Sequence, residues 1–272
     1  MSREYGAVCV VPLQFSASDE HGHRAVKLRE LTGNIERAVS STSTADAMCL
    51  IDSLIVGELG RRQAKDLTAS DRDRLLAMIY QQAFGDRIES TLTCAVCSQP
   101  FDIDFSIEEL MTSLFEHRSS SYQVLEDGRI ETSDGISFRL PTGGDELAIV
   151  GLSPDDASST LLERCIGESP SLEQDAFEEL LDEIAPLLDL DLAASCPECG
   201  QPHSVEFDIQ SYLLGAILGE RRQLLSAIHR LASAYQWPLD EILSLTRSER
   251  RSLVDMIEGD SVYESGGGSF GL

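Results

Sequence analysis

Two Cys-x-x-Cys pairs constrain this chain more than any other feature of its sequence. The pairs are Cys94–Cys97 and Cys196–Cys199, and the other cysteines, Cys9, Cys49 and Cys165, lie in apolar contexts typical of buried thiols. Four thiolates are the number that closes a tetrahedral structural zinc site. Such a site leaves no coordination position open, so its metal would stabilise the fold and would not activate water.

Both pairs stand directly before a segment with a strand pattern. Apolar and acidic residues alternate in Phe101–Phe105 and again in Val205–Ile209, a period of two that predicts half-buried strands. Pro197 fixes φ and Gly200 permits a positive φ, which suits a knuckle turn around the second pair. A strand after each knuckle would let the two pairs face each other as a zinc ribbon.

Other uses of the cysteines stay open at this point. A redox Cys-x-x-Cys is disfavoured because such a thiol normally opens a helix after a strand, whereas these pairs precede strands. Two independent metal sites would need further ligands, and only His203 is suitably close in sequence. An iron–sulfur cluster also takes four thiolates, but two well-separated pairs flanked by strands match zinc better. The favoured interpretation is one structural zinc bound by Cys94, Cys97, Cys196 and Cys199.

The distance between the two pairs is explained if the chain is a diverged tandem duplication. Cys196 follows Cys94 by 102 positions, and both pairs continue as Cys-x-x-Cys-x-Gln-Pro. A second pair of segments, Val26–Gly33 and Ile136–Gly143, keeps Arg, Thr and Gly in register at an offset of 110. Chance resemblance is the alternative, but two motifs that recur in the same order favour two copies, each contributing half of one zinc site.

The predicted fold class is α+β, with two diverged homologous halves followed by a helical C-terminal extension. Each half has short strands plus helices and ends in a zinc knuckle, and the knuckles join at one four-cysteine zinc ribbon. The predicted segments are an N-terminal strand or arm at 1–21, a first repeat at 22–118 with its knuckle at 94–97, a linker at 119–127, a second repeat at 128–215 with its knuckle at 196–199, a C-terminal helical segment at 216–258 and a flexible tail at 259–272.

Apolar spacing predicts several helices around these strands. One spans 44–59, and another begins with Ser70 as its N-cap and stops at Gly85. A strongly acidic helical stretch spans 171–190, and a single amphipathic helix spans 212–235. The C-terminal part of the chain is therefore predicted to be helical.

Charge and motif content argue against several classes of function. Asp and Glu outnumber Lys and Arg by 47 to 21, and the net charge of −26 repels nucleic-acid phosphates, so no nucleic-acid partner is expected. No apolar run reaches the roughly 18–20 residues of a membrane span, and the N-terminus has no secretory signal, so a cytoplasmic protein is expected. The sequence has no phosphate loop, Gly-x-Gly-x-x-Gly, His-Glu-x-x-His or nucleophile elbow. We therefore predict neither enzyme activity nor a small-molecule substrate.

Basic residues are distributed unevenly. From 141 to 199 the single basic residue is Arg164, whereas six arginines gather between 221 and 251. Such polarity can place basic helices against a neighbour's acidic surface, and greater solubility of one face is the alternative. The predicted partner-binding residues are Trp237, Arg247, Arg250 and Arg251, although a core position is favoured for Trp237.

Several short motifs occur in an order that resembles one protein family. They are Arg139–Gly143 after a strand, Cys196–Gly200 before a Phe-Asp-Ile strand, and a C-terminal series that runs from Ile228 through Tyr235-Gln236-Trp237 to Arg250-Arg251. Together they resemble the baseplate hub-assembly family of contractile-tailed phages and extracellular contractile injection systems. The resemblance extends over most of the chain, from Val26 to Ile257. The family often has a histidine where Gln236 stands here, and the first knuckle lacks the Pro and Gly of the second.

That resemblance implies a structural or assembly role in a baseplate, with other baseplate, tube, spike or sheath subunits as partners. The residues themselves leave a second hypothesis open, a zinc-ribbon nucleic-acid or transcription-linked adaptor, because zinc ribbons commonly serve in such proteins. The strong negative charge argues against this second hypothesis.

Overall fold

A computed structural model describes residues 8–18, 22–56, 63–116, 122–133, 135–166 and 174–265. Within these ranges, short antiparallel strands alternate with helices, which confirms a mixed α and β fold. The strands are β1 Cys9–Pro12, β2 Ala25–Leu28, β3 Ile55–Val56, β4 Arg87–Thr93, β5 Pro100–Ser106, β6 Tyr122–Val124, β7 Arg129–Thr132, β8 Ser137–Arg139, β9 Asp189–Ser195 and β10 Pro202–Asp208. The helices are α1 Gly33–Ala38, α2 Thr44–Leu54, α3 Ala69–Phe84, α4 Ile107–Glu116, α5 Gly143–Ile149, α6 Pro154–Ile166, α7 Gln174–Ile184, α8 Ile209–Gly219, α9 Arg221–Tyr235, α10 Leu239–Ser244 and α11 Arg247–Ser265, with a short 3-10 helix at Ala64–Asp66.

The strands form small antiparallel sheets. β1–β2–β3 and β6–β7–β8 are three-stranded, whereas β4–β5 and β9–β10 are two-stranded hairpins. The described chain passes twice through the order of strands, three helices, a hairpin and a helix, first to α4 and then to α8. In the first pass, β3 is inserted after α2 and completes the first sheet.

Helix α3 lies in the larger of the hydrophobic cores. Its N-cap is Thr68, whose side chain accepts a hydrogen bond from the Asp71 N–H, so the predicted N-cap Ser70 is wrong and lies within the first turn. The apolar face, which includes the fully buried Leu76, packs with α2, α8 and the first sheet. Gly85 ends the helix as predicted, with a φ of +96° that favours glycine.

Asp71 ties the start of α3 to the chain that follows β1. Its carboxylate accepts the backbone N–H groups of Gln14, Phe15 and Ser16 at 2.7, 2.9 and 2.7 Å. These charge-assisted bonds satisfy a carboxylate that is fully buried. They also place Phe15 in a second core, together with Phe138 of β8.

The second core lies between β6–β7–β8 and helices α6 and α7. Asp145, in the first turn of α5, joins this region through Arg139 and Arg164. Burial raises the pKa of Asp145, but hydrogen bonds from the two arginines outweigh this and hold the pKa well below its usual range. Arg164, the single basic residue between 141 and 199, therefore forms an ion pair within the chain.

Two predicted helices end earlier than expected. The helix predicted over 44–59 ends at Leu54, since the next two residues pair with β2 as β3. The acidic helix predicted over 171–190 ends at Ile184, because Pro186 stops it, and Asp189 then begins β9. Strand pairing therefore overrides the local helical pattern in the first case, and a proline interrupts it in the second.

The C-terminal extension is helical, but the single helix predicted over 212–235 is two helices. α8 ends at Gly219, and Glu220 has φ −89° and ψ 9°, which breaks the helix before α9 begins. Further along, Thr246 and Thr32 form an antiparallel bridge between the N-termini of α11 and α1. The C-terminal helices therefore pack back onto the first part of the chain.

Some predicted segments lie only partly within the described residues. β6 falls in the predicted linker at 119–127 and belongs to the second sheet, and α11 extends into the predicted tail at 259–272. The serine-rich link at 119–121, residues 1–7 and 19–21 of the arm, and 266–272 of the tail lie outside the described residues. The predicted segment boundaries stay predictions.

Candidate metal centre

Each Cys-x-x-Cys pair occupies the turn of a hairpin. β4 leads into the first turn and β5 leaves it, and β9 and β10 flank the second. The Cys94 N–H donates to the Gln99 carbonyl at 3.0 Å, and the Cys196 N–H donates to the Gln201 carbonyl at 2.9 Å. The shared Cys-x-x-Cys-x-Gln-Pro motif therefore folds twice into the same hydrogen-bonded turn.

The two turns bring four cysteine sulfurs into one cluster. The Sγ atoms of Cys94, Cys97, Cys196 and Cys199 all lie within 4.8 Å of one another. The distances from Cys94 Sγ to Cys199 Sγ and from Cys97 Sγ to Cys196 Sγ are both 3.7 Å. A tetrahedral zinc ion with Zn–S bonds of about 2.3 Å places its sulfurs about 3.8 Å apart. The donor set and its spacing therefore fit one zinc ion.

The same spacing bears on the other uses of the cysteines. Sulfurs 3.7 Å apart are not disulfide-bonded, since a disulfide needs about 2.0 Å. Two independent sites do not match a single cluster shared by both pairs. An iron–sulfur cluster would place several iron and sulfide atoms between the thiolates, and separations of at most 4.8 Å fit a single ion better.

The remaining cysteines lie outside this cluster. Cys165 is buried as predicted, and burial raises the pKa of its thiol to about 11. Cys9 is half-buried, whereas Cys49 is exposed, so the prediction of a buried thiol is wrong for Cys49. Its position on the outer side of the amphipathic α2 explains the difference.

Aromatic side chains pack the two hairpins against each other. Phe105 meets Phe207 edge to face with ring centroids 5.1 Å apart, and Phe101 lies 5.3 Å from His203. Each contact joins positions 102 residues apart, which is also the offset between the cysteine pairs. Contacts between equivalent positions are what an approximate two-fold axis between the hairpins produces.

Backbone groups in the first turn favour a thiolate at Cys94. The Cys97 N–H lowers the pKa of the Cys94 thiol to about 5, and although burial opposes this shift, the His203 imidazole adds to it. At Cys97 the Gln99 N–H lowers the pKa, but burial and hydrogen bonding with the other sulfurs outweigh it and raise the pKa. A bound cation would favour the thiolate form at all four ligands.

His203 contributes to the centre, although its sequence context favours a surface position. Its ring lies against Phe101 and beside the Cys94 sulfur, while its buried Nε2 has no protein partner among the described residues. It stands beside the sulfur cluster and is not one of its four members. The sequence signal for this role is its place at the position equivalent to Phe101 in the repeated motif.

Ser98 carries backbone strain in the first turn. Its φ is +57°, where the second turn has Gly200 at +71°. The left-handed conformation costs a residue with a Cβ roughly 1–2 kcal/mol. The same turn is therefore formed at a lower conformational cost in the second hairpin.

The Ser98→Gly variant is expected to bind zinc a few-fold more tightly, because glycine adopts the left-handed turn without this cost. The gain is smaller than the full strain, since glycine loses more backbone entropy on folding. Competition with a chromophoric chelator measures the affinity. Ser98→Ala keeps the Cβ and should show no gain, and equal affinities of the two variants would contradict the explanation.

The residues predicted to bind partners lie in the C-terminal helices. Arg247 and Arg250 are buried, and both bind Glu36 of α1, so they have an internal role. The Arg251 side chain is 58% exposed, and Trp237 is half-buried with its ring stacked on a neighbouring tyrosine. Partner binding stays a prediction, for which exposure favours Arg251 and Trp237.

Comparison with known families decides where this chain belongs. A family described as T4 bacteriophage base plate protein matches residues 18–169, more than half of the chain. The chain belongs to this base plate family. Its membership confirms the resemblance to baseplate proteins and gives the chain a structural role in a phage baseplate. Searches among curated proteins and among solved structures found no match.

The base plate match ends between the two parts of the metal centre. It includes Cys94 and Cys97 but stops before Cys196 and Cys199. As a base plate protein, the chain has other phage subunits as its expected partners. Among the described residues, none of the helices combines the length and the apolar character that crossing a bilayer requires.

Proposed function

We propose that this chain is a non-enzymatic structural or assembly component of the baseplate of a phage-tail-like contractile injection system. It acts through contacts with other baseplate, tube, spike or sheath subunits, and one structural zinc joins its two halves. The observation that carries the proposal is the base plate family match over 18–169. The four-cysteine cluster supports the role of the metal.

Zinc is the metal that the donor set favours. Cys94, Cys97, Cys196 and Cys199 supply four thiolates, and four protein ligands leave no position for water or substrate. When bound, the ion supplies a cross-link between the hairpins and no reaction chemistry. The zinc-bound fold would present a fixed surface to neighbouring subunits.

Matched geometry in the two halves supports an origin by tandem duplication. The Ile107 N–H donates to the Asp86 carbonyl at 3.0 Å, and the Ile209 N–H donates to the Leu188 carbonyl at 3.0 Å. These bonds are related by the same offset of 102 as the cysteines. Because each half supplies only two thiolates, neither half completes the site alone, and zinc binding requires that the halves meet.

Particle assembly tests the proposed role. A tagged chain is expressed with the remaining tail proteins of its source, and particles and assembly intermediates are separated by sedimentation. We expect the chain to co-sediment with baseplate subunits, and its deletion to leave baseplates incomplete. A monomeric chain that is absent from every particle and intermediate, with normal particles in the deletion strain, would contradict the proposal.

A further inference from the structure

The two cysteine hairpins leave a groove between two strand edges. β5 lines it from Phe101 to Ser106, α4 through Glu109 and Leu110, and β9 from Leu192 to Ser195, and its volume is about 590 Å³. Each hairpin has only two strands, so β5 and β9 each have one edge without a neighbouring strand. An unpaired edge offers backbone hydrogen bonds to an added strand.

The register of the second hairpin determines which groups point outward from β9. The Cys196 N–H bonds the Gln201 carbonyl, and hydrogen-bonded pairs alternate along an antiparallel ladder. Ala193 and Ser195 therefore direct their N–H and C=O groups away from β10. In the part of the chain that the structure describes, no protein group hydrogen-bonds these outward groups.

On the other side of the hairpins, one position of the equivalent β4 edge is covered. There the Tyr212 hydroxyl donates to the Glu89 carbonyl on the outer edge of β4 at 2.9 Å, and the Tyr212 ring lies 5.8 Å from Phe207. At the offset of 102, Tyr212 corresponds to Leu110 and Glu89 corresponds to Asp191. Leu110 has no hydroxyl, so it cannot make the equivalent bond to the Asp191 carbonyl on the β9 edge.

The side chains around the groove define the segment that fits it. Phe101 and Leu192 contribute apolar surface, and Asp102 and Glu109 contribute acidic groups, whereas Asp104 is paired with Arg87 outside the groove. The lining includes no Lys or Arg. A strand presents alternate side chains to opposite faces. A segment with apolar residues on one face and Lys or Arg on the other matches both features. With a net charge of −26, a second copy of this chain is a poor occupant.

We propose that β9 binds an extended, basic segment of another baseplate subunit by strand addition. Its apolar side chains would enter the groove, and its basic side chains would face Asp102 and Glu109. Backbone hydrogen bonds to Ala193 and Ser195 would supply affinity, and the alternating side chains would supply selectivity. Only the assignment of the segment to a baseplate subunit rests on the proposed function.

A peptide probe tests this groove in the zinc-loaded, full-length chain. The probe has blocked ends and alternates valine and lysine over about eight residues. We expect it to slow amide exchange of Ala193 and Ser195 at least tenfold by NMR, and to leave Thr91 on the β4 edge unchanged. The Ala193→Pro variant removes an outward N–H without breaking the hairpin ladder. It should weaken peptide binding at least tenfold by fluorescence anisotropy.

Ser204→Pro is the matched control, because Ser204 pairs with Ala193 in the register and points its N–H outward from the opposite edge. Its affinity for the peptide should stay within about twofold of the wild type. Glu109→Lys leaves both edges intact and should weaken binding several-fold, so it tests the groove even if a proline variant does not fold.

Three results would overturn the proposal. They are no binding of the alternating peptide, equal binding of a peptide with the same residues in two blocks, and unchanged binding by a folded Ala193→Pro variant. None of these measurements depends on particle assembly. The proposal that the groove binds a strand and the proposed baseplate role can therefore be refuted independently of each other.

Discussion

The Cys196→Ser variant is expected to lose the bound zinc and the structure of both knuckle turns. Cys196 is almost fully buried, and its Sγ lies 3.7 Å from the Cys97 Sγ across the cluster. Each pair supplies two ligands, so damage to the second pair also releases the metal from the first. Structural zinc sites contribute on the order of 10 kcal/mol of apparent binding free energy at neutral pH. This is the largest effect that we expect from a single substitution in this chain.

The loss should remain local, because the base of the ribbon has other support. Phe105 contacts Phe207, and Phe207 belongs to the larger hydrophobic core together with residues of α3. We expect amide protection to disappear over 94–99 and 196–201, while α3 keeps its protection. A change of this kind would disturb the surface formed by the hairpins and reduce baseplate assembly. No catalytic activity should change, because none is proposed for this chain.

Elemental analysis measures the effect directly. We expect one zinc per wild-type chain and none in Cys196→Ser or Cys94→Ser. Cys49→Ser is the control, because Cys49 is exposed and lies outside the cluster. Zinc that survives in either cluster variant, or a cluster variant that folds and assembles like the wild type, would show that the structural-zinc proposal is wrong.

The four-cysteine cluster could be predicted from the sequence because the motif that forms it is local and repeated. Each Cys-x-x-Cys-x-Gln-Pro motif specifies its own turn, and the common offset indicates that the two turns meet. The strands after Cys97 and Cys199 were predicted correctly for the same reason, since alternation and turn lie within a few residues. The role of His203 follows only when its position is compared with that of Phe101.

Features that depend on distant partners could not be predicted in the same way. The end of α2 at Leu54 depends on pairing with β2, and the break at Glu220 separates two helices whose apolar patterns run together. Arg247 and Arg250 belong to an arginine-rich segment, which is why the sequence predicts that they bind a partner. They bind Glu36 more than 200 residues earlier in the chain, and no local pattern indicates this contact.

That contact gives the second large effect. Glu36 is 4% exposed, and its Oε1 accepts a hydrogen bond from Arg247 Nη1 at 3.0 Å, while its Oε2 binds Arg250. Arg247 also binds Glu220 and lies over the Phe84 ring. Burial lowers the pKa of the Arg250 guanidinium, and the Glu36 carboxylate opposes this shift. One carboxylate thus holds two desolvated cations where α11 meets α1.

The Glu36→Gln variant should be destabilised by about 3–5 kcal/mol, because it leaves Arg250 buried without its paired carboxylate and leaves Arg247 with Glu220 alone. Glutamine keeps the shape of the side chain, so the loss reports the charge. Thermal unfolding should show a melting temperature lower by roughly 10 °C. The zinc content should stay at one ion per chain, since Glu36 lies outside the cysteine hairpins.

Glu258→Gln is the matched control, and it lies on α11, the helix that carries Arg247 and Arg250. Glu258 pairs with Arg230, and their side chains are 56% and 43% exposed, so this surface pair should contribute no more than about 1 kcal/mol. A loss in Glu36→Gln as small as in Glu258→Gln would show that the buried pair does not anchor α11 to α1. A large loss in Glu36→Gln alone would assign both arginines to the fold and leave Arg251 and Trp237 as the exposed residues for contact with a neighbouring subunit.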